Sequence, residues 1–116
     1  MENHELLERL DLIEFKQQLL FDDTSFDRFL FETNVTREQY KNILDLFDSL
    51  IHSLDGGETL ISASYEASIY EIVPQCERDY HFAEFIAQTL HENGRYEEVF
   101  VALYGKVQKF QSYLNK

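Results

Sequence analysis

Apolar residues along this chain recur at intervals of three and four, the period of a helix that buries one side. Between Glu5 and Leu20, Leu6, Leu10, Ile13 and Leu20 follow 4-3-7 spacing, and Gln17 completes a 4-3-4-3 stripe. The pattern predicts a helix over about residues 4–20. Leu7, Leu12, Phe15 and Leu19 lie outside the stripe, so this helix carries more apolar surface than one facing helix covers. Asp22-Asp23-Thr24 interrupts the pattern and supplies N-cap candidates for a short segment, Phe26 to Phe31, with Phe26, Phe29, Leu30 and Phe31 on nearly every side. Such a segment belongs wedged in a core or an interface.

Thr36-Arg37-Glu38-Gln39 fits a capping box, with Val35 and Tyr40 at the two positions of a hydrophobic staple. Tyr40, Ile43, Leu44, Phe47, Leu50, Ile51 and Leu54 then share one helical face, and Asp55-Gly56-Gly57 ends it where a glycine can adopt the left-handed conformation. Glu58 to Ser62 reads as a linker with a short extended stretch. A fourth helix from about Ser64 uses Tyr65, Ile69, Ile72, Val73 and Cys76, and Pro74 either kinks it or ends it. Asp79 is placed to cap a fifth helix carrying Phe82, Phe85, Ile86 and Leu90, closed by Asn93-Gly94. A sixth is predicted from about Tyr96 to Leu114, with Lys106, Lys109 and Lys116 toward its C-terminal end, where they oppose the helix dipole favourably. The fold expected is all-α: a compact bundle of five or six helices with a C-terminal helical hairpin, in a single domain over residues 1–116.

Thr89 to Val99 resembles the hairpin turn of a tetratricopeptide repeat. However, Val99 stands where that family requires a small residue, and no second copy of about 34 residues follows, so the segment is read as a helix hairpin. A wider resemblance rests on Glu8-Arg9-Leu10 with Gln17-Gln18-Leu19-Leu20, the Phe26–Phe31 segment, Thr36-Arg37-Glu38-Gln39, Asp79-Tyr80-His81, and Gly94-Arg95-Tyr96-Glu97-Glu98. In that order they resemble the YhaI-like family, small helical proteins of Bacillus and related bacteria. The resemblance implies an all-α, cytoplasmic, self-associating protein; the family has no assigned activity, so no functional residue is carried over.

Charge narrows the partners. The 116 residues hold 22 acidic against 10 basic side chains, net −12, which opposes direct binding to nucleic-acid backbone and docking on anionic membranes. The imbalance is uneven: residues 1–60 hold 14 acids and 5 bases, net −9, and residues 61–116 hold 8 and 5, net −3. An acidic first half admits a partner with a basic surface, or mimicry of nucleic acid toward a DNA-binding protein; acids interspersed with bases are more simply read as solubility. The longest apolar run, Val99 to Tyr104, is six residues, far below the roughly 20 that span a bilayer. With no secretory signal pattern at Met1-Glu2-Asn3-His4-Glu5 and a lone Cys76, the expectation is cytoplasmic.

Site chemistry is sparse. There is no Glu-x-x-His of the kind that builds metal sites in helical bundles; the nearest pairs are His81 with Glu84, Glu77 with His81, and Asp48 with His52. Among 22 acids such pairs arise by chance, so no metal or cofactor is assigned, although His81, Glu84 and His91 would be its members. No nucleophile elbow or phosphate-cradling glycine loop occurs, and Cys76 beside Glu77 is placed poorly for a thiolate, so no catalytic residue is assigned. What remains is apolar surface. The candidate interface is Leu6, Leu10, Ile13, Gln17 and Leu20 with Phe26, Phe29 and Phe31. The first helix either pairs with its copy in another chain or packs on its own domain. The function expected is a non-enzymatic interaction protein, a homo-oligomer that binds another protein; the alternative is an acidic inhibitor that occupies a basic surface.

Overall fold

A computed structural model describes residues 3–115. The order is α1 (Asn3–Asp22), α2 (Ser25–Glu32), α3 (Arg37–Asp55), α4 (Ser62–Ile72), a 3-10 turn at Pro74–Cys76, α5 (Phe82–Glu92), α6 (Glu97–Tyr104), a second 3-10 turn at Gln108–Phe110, and a one-turn α7 (Gln111–Leu114). No strand occurs among the described residues, and no helix among them is long and apolar enough to cross a membrane. The outline is 49 × 27 × 26 Å.

Local chemistry sets the starts and stops. The Thr24 side chain accepts from the Asp27 amide at 3.0 Å and starts α2. At α3 the capping box is complete: Thr36 Oγ1 accepts from the Gln39 amide, and Gln39 Oε1 accepts from the Thr36 amide, both at 3.1 Å. Gly57, with φ +83°, takes the left-handed turn that releases the chain from α3. Pro74 ends α4 rather than kinking it, because proline has no N–H to continue the ladder and disfavours a helical residue before it; Val73 is already out of the helix at ψ 69°.

One apolar cluster joins the helices. Phe15 and Leu19 of α1, Phe26 and Leu30 of α2, Ile43 and Phe47 of α3, and Tyr65 and Ile69 of α4 share one core with α5, which buries Phe82, Ala83, Ile86, Ala87, Thr89 and Leu90 and packs against α2, α4 and α6. Phenol hydroxyls brace it: Tyr65 donates to the Ala83 carbonyl at 2.6 Å, Tyr96 to Asp48 at 2.6 Å and Tyr104 to Glu66 at 2.9 Å.

The described residues carry seven α-helices rather than five or six, because the helix expected from Tyr96 to Leu114 is broken. After α6 the chain turns at Gly105 and folds back. There a Cβ would lie 2.4 Å from the Val101 carbonyl oxygen, and the Gly105 carbonyl accepts from Gln111 Nε2 at 2.6 Å. The physical reason is the length of the support. The antiparallel partner, α5, has 11 residues, about 16 Å. A straight helix to Leu114 would carry Phe110 and Tyr113 past it into water. Folding back sets Phe110 against Phe100 (5.2 Å between ring centroids) and Tyr113 against Phe100 (5.7 Å). Lys106 consequently lies beyond the end of α6, Lys109 is drawn to Glu84, and Lys116 lies outside the described residues.

Two outcomes follow. Thr36→Ala removes a cap and should lower unfolding free energy by about 1 kcal/mol in urea denaturation. Burial, and then the hydrogen bond to Asp48, push the Tyr96 hydroxyl up to about 12; burial and Glu66 push Tyr104 up in the same way. These phenols ionise near 10 in the unfolded chain, so the stability they contribute is present below about pH 10 and is lost as pH rises through the folded value. Urea midpoints should therefore fall between about pH 9 and pH 11.5. Tyr96→Phe with Tyr104→Phe should make that fall shallower.

Candidate functional site

Successive residues of a helix turn by about 100°, so α1 has two apolar sides. Leu12, Phe15 and Leu19 form one. Phe15 and Leu19 are buried, and around them Arg37 reaches from α3 to bond Asp11 at 3.0 Å and to cover the Phe15 ring. The 4-3-4-3 stripe lies about 150° around the helix from that side. Its members face solvent: Leu6 and Leu10 are 47% exposed, Ile13 53%, Leu20 54%, and Gln17 is exposed as well. Leu7 at 65% and Phe21 at 88% widen the same face. Every residue from 3 to 11 is exposed, so the N-terminal half of α1 is barely held by the body of the protein.

The phenylalanine segment does not join this face. Phe26 is fully buried in the core, which removes it from the expected interface. Helix α2 is held between α1 and α5, and its start is fixed by the residue that follows α5: Asn93 Oδ1 accepts from the Phe26 amide at 3.2 Å, and Asn93 Nδ2 donates to Ser25 Oγ at 3.1 Å. Phe29 is half-buried with its ring 5.3 Å from Phe82 and 5.7 Å from Phe85. Phe31 is half-buried beneath the Lys16 ammonium, which lies 4.9 Å from its ring centre and also bonds Asn34.

Phe21 is the member of the outward face that the stripe alone does not reveal. Placed on a heptad in which Leu6 is d and Leu10 is a, Leu7 and Phe21 both occupy e. An apolar residue at each of those e positions is the signal in the sequence that finds it.

The ligand-bearing side chains are engaged elsewhere. An open cleft of about 390 Å³ lies between α5 and the folded-back C-terminus, with Phe85 and Phe110 as its apolar floor. On its rim Glu84 Oε2 meets Lys109 Nζ at 2.6 Å and His81 Nδ1 at 3.3 Å, so the carboxylate is already matched by the Lys109 ammonium. His91 is not beside them; its Nδ1 is hydrogen-bonded to the Tyr113 hydroxyl at 2.6 Å and its ring packs at a tilt against Phe100, 5.0 Å between centroids. Among the described residues no three His, Cys, Asp or Glu side chains gather to hold a metal ion. Burial, with Asp79 nearby, pushes the Cys76 thiol up, away from the reactive thiolate.

The two kinds of aromatic position make opposite predictions. Phe26→Ala should cost about 3–5 kcal/mol of unfolding free energy, because it leaves a cavity in the core. Phe21→Ala, measured at sub-micromolar protein, should stay within about 0.5 kcal/mol of the native chain. Comparison with family models, curated proteins and solved structures returns no match to this chain.

Proposed function

We propose that this chain is a non-enzymatic helical interaction protein that self-associates through the outward face of α1 and, so assembled, binds another protein. The observation that carries the reading is the row Leu6, Leu10, Ile13 and Leu20, with Leu7 and Phe21 beside it, left in water on the side of α1 opposite its docked face.

Magnitude supports it. At roughly 150–200 Å² for a fully exposed large side chain, these six leave on the order of 500–700 Å² of apolar surface in water. The largest apolar patch of an ordinary monomer is about 300–600 Å², and a standard interface covers about 800 Å² per partner. Helix stability points the same way. Isolated helices of fewer than about 12–15 residues are marginal in water, and nine consecutive exposed residues begin α1. Partner helices laid along the stripe would bury it and hold that half helical. The absence of convergent site chemistry among the sequence motifs is why the reading is an interaction protein; a cytoplasmic location belongs to the same proposal.

Sedimentation equilibrium at micromolar concentration should give a mass that is a multiple of 13.8 kDa, and a monomer would overturn the proposal. Leu10→Asp with Ile13→Asp should dissociate the assembly while leaving helical circular dichroism largely intact. An unchanged mass in that variant would place the interface elsewhere than α1.

A further inference from the structure

The outward face of α1 is not symmetric in charge, and the asymmetry selects its occupant. With Leu10 and Gln17 at a, and Leu6, Ile13 and Leu20 at d, the flanking g positions are Arg9 and Lys16, and the e positions are Leu7, Glu14 and Phe21. Arg9 and Glu14 are both exposed, and among the described residues neither has an ion-pair partner within the chain. Lys16 is different: it is turned to its own domain, onto Asn34 and the Phe31 ring.

We infer that α1 pairs with α1 of a second copy of this chain, parallel and in register, with Arg9 set against Glu14 of the partner subunit and Gln17 set against its own counterpart. This rests on the reading of α1 as a self-association face.

In a parallel pair each g residue faces the e residue five positions later in the partner. Arg9 then faces the partner's Glu14, and symmetry repeats the contact. Lys16, drawn aside, leaves the partner's Phe21 free to cover the seam. Each a residue meets its own copy, so two Gln17 amides meet, each offering a donor and an acceptor to the other. The antiparallel arrangement loses both terms. There a faces d and g faces g, which sets the Gln17 amide against the partner's Leu6 and brings Arg9 toward the partner's Lys16, two like charges. A parallel pair slipped by one heptad also fails, because Gln17 then meets the partner's Leu10. The docked side of α1 lies about 150° around the helix from the seam, which sets the two domains on opposite flanks of the pair.

Cross-linking of the full chain in a Cys76→Ala background reads the orientation. Leu6→Cys and Gln17→Cys, each alone, should form covalent dimers under mild oxidation, because each position meets its own copy. In an antiparallel pair a residue-6 position and its copy are separated by about eleven residues, roughly 16 Å, beyond the roughly 7 Å that a disulfide spans between Cα atoms. Dimers that appear only when the two variants are mixed would overturn the parallel inference and leave self-association standing. A native chain that sediments as a monomer would overturn both, and an oligomer that cross-links in neither experiment would remove α1 from the interface. Charge supplies the second measurement. Arg9→Glu and Glu14→Arg should each weaken self-association by about tenfold, and an equimolar mixture of the two should return to within about threefold of the native affinity. A mixture no tighter than either variant alone would overturn the Arg9–Glu14 contact.

Discussion

The contact between α5 and the helices laid around it holds the rest of the chain in place. Six of its eleven residues are buried, and they are shared among different neighbours: Phe82 meets Phe29 of α2 and Tyr70 of α4, and the Ala83 carbonyl receives the Tyr65 hydroxyl. Small residues at positions 83 and 87 let those helices approach closely. Just past its C-terminal end Asn93 ties down the start of α2, and His91 supports both Phe100 and Tyr113. Helix α5 thus joins α2, α4 and the C-terminal fold-back in one body.

That arrangement explains why α1 is left with surface to spare. The core forms without the N-terminal half of α1; the helix meets the body mainly through Phe15 and Leu19 in its C-terminal half, helped by Arg37 and Lys16. The leucines and isoleucine on its far side contribute nothing to the chain's own core. Apolar side chains at fixed 4-3 spacing, held in water by a helix anchored at its other end, are what helix-to-helix association uses. In the proposed pairing, Arg9 and Glu14 supply a sign pattern that a second copy of the helix would match.

Features set within one turn of helix were legible in the residues. Thr36 and Gln39 form their capping box from contacts three residues apart, and Pro74 acts on its immediate neighbours, although choosing between a kink and an end required the structure. The outward stripe was legible as a stripe. Less so was the break after Tyr104: Val99, Phe100 and Leu103 before Gly105 and Val107, Phe110 and Leu114 after it keep one helical spacing, and periodicity carries no information about the length of the helix they must pack on. Nor did composition distinguish Phe26 from Phe21. Both are phenylalanines beside polar residues, yet one is fully buried and the other 88% exposed.

The sequence by itself determined that this is an all-helical chain, where most of its helices begin, and that its first helix carries two apolar sides, because caps and amphipathic periods are properties of residues within a few positions of one another. Only the tertiary structure decided which of those two sides is used internally. It also decided that the phenylalanine segment belongs to the core and that the last helix folds back on itself. Those outcomes depend on how much length and surface the neighbouring helices offer, which residues far apart in the chain settle between them.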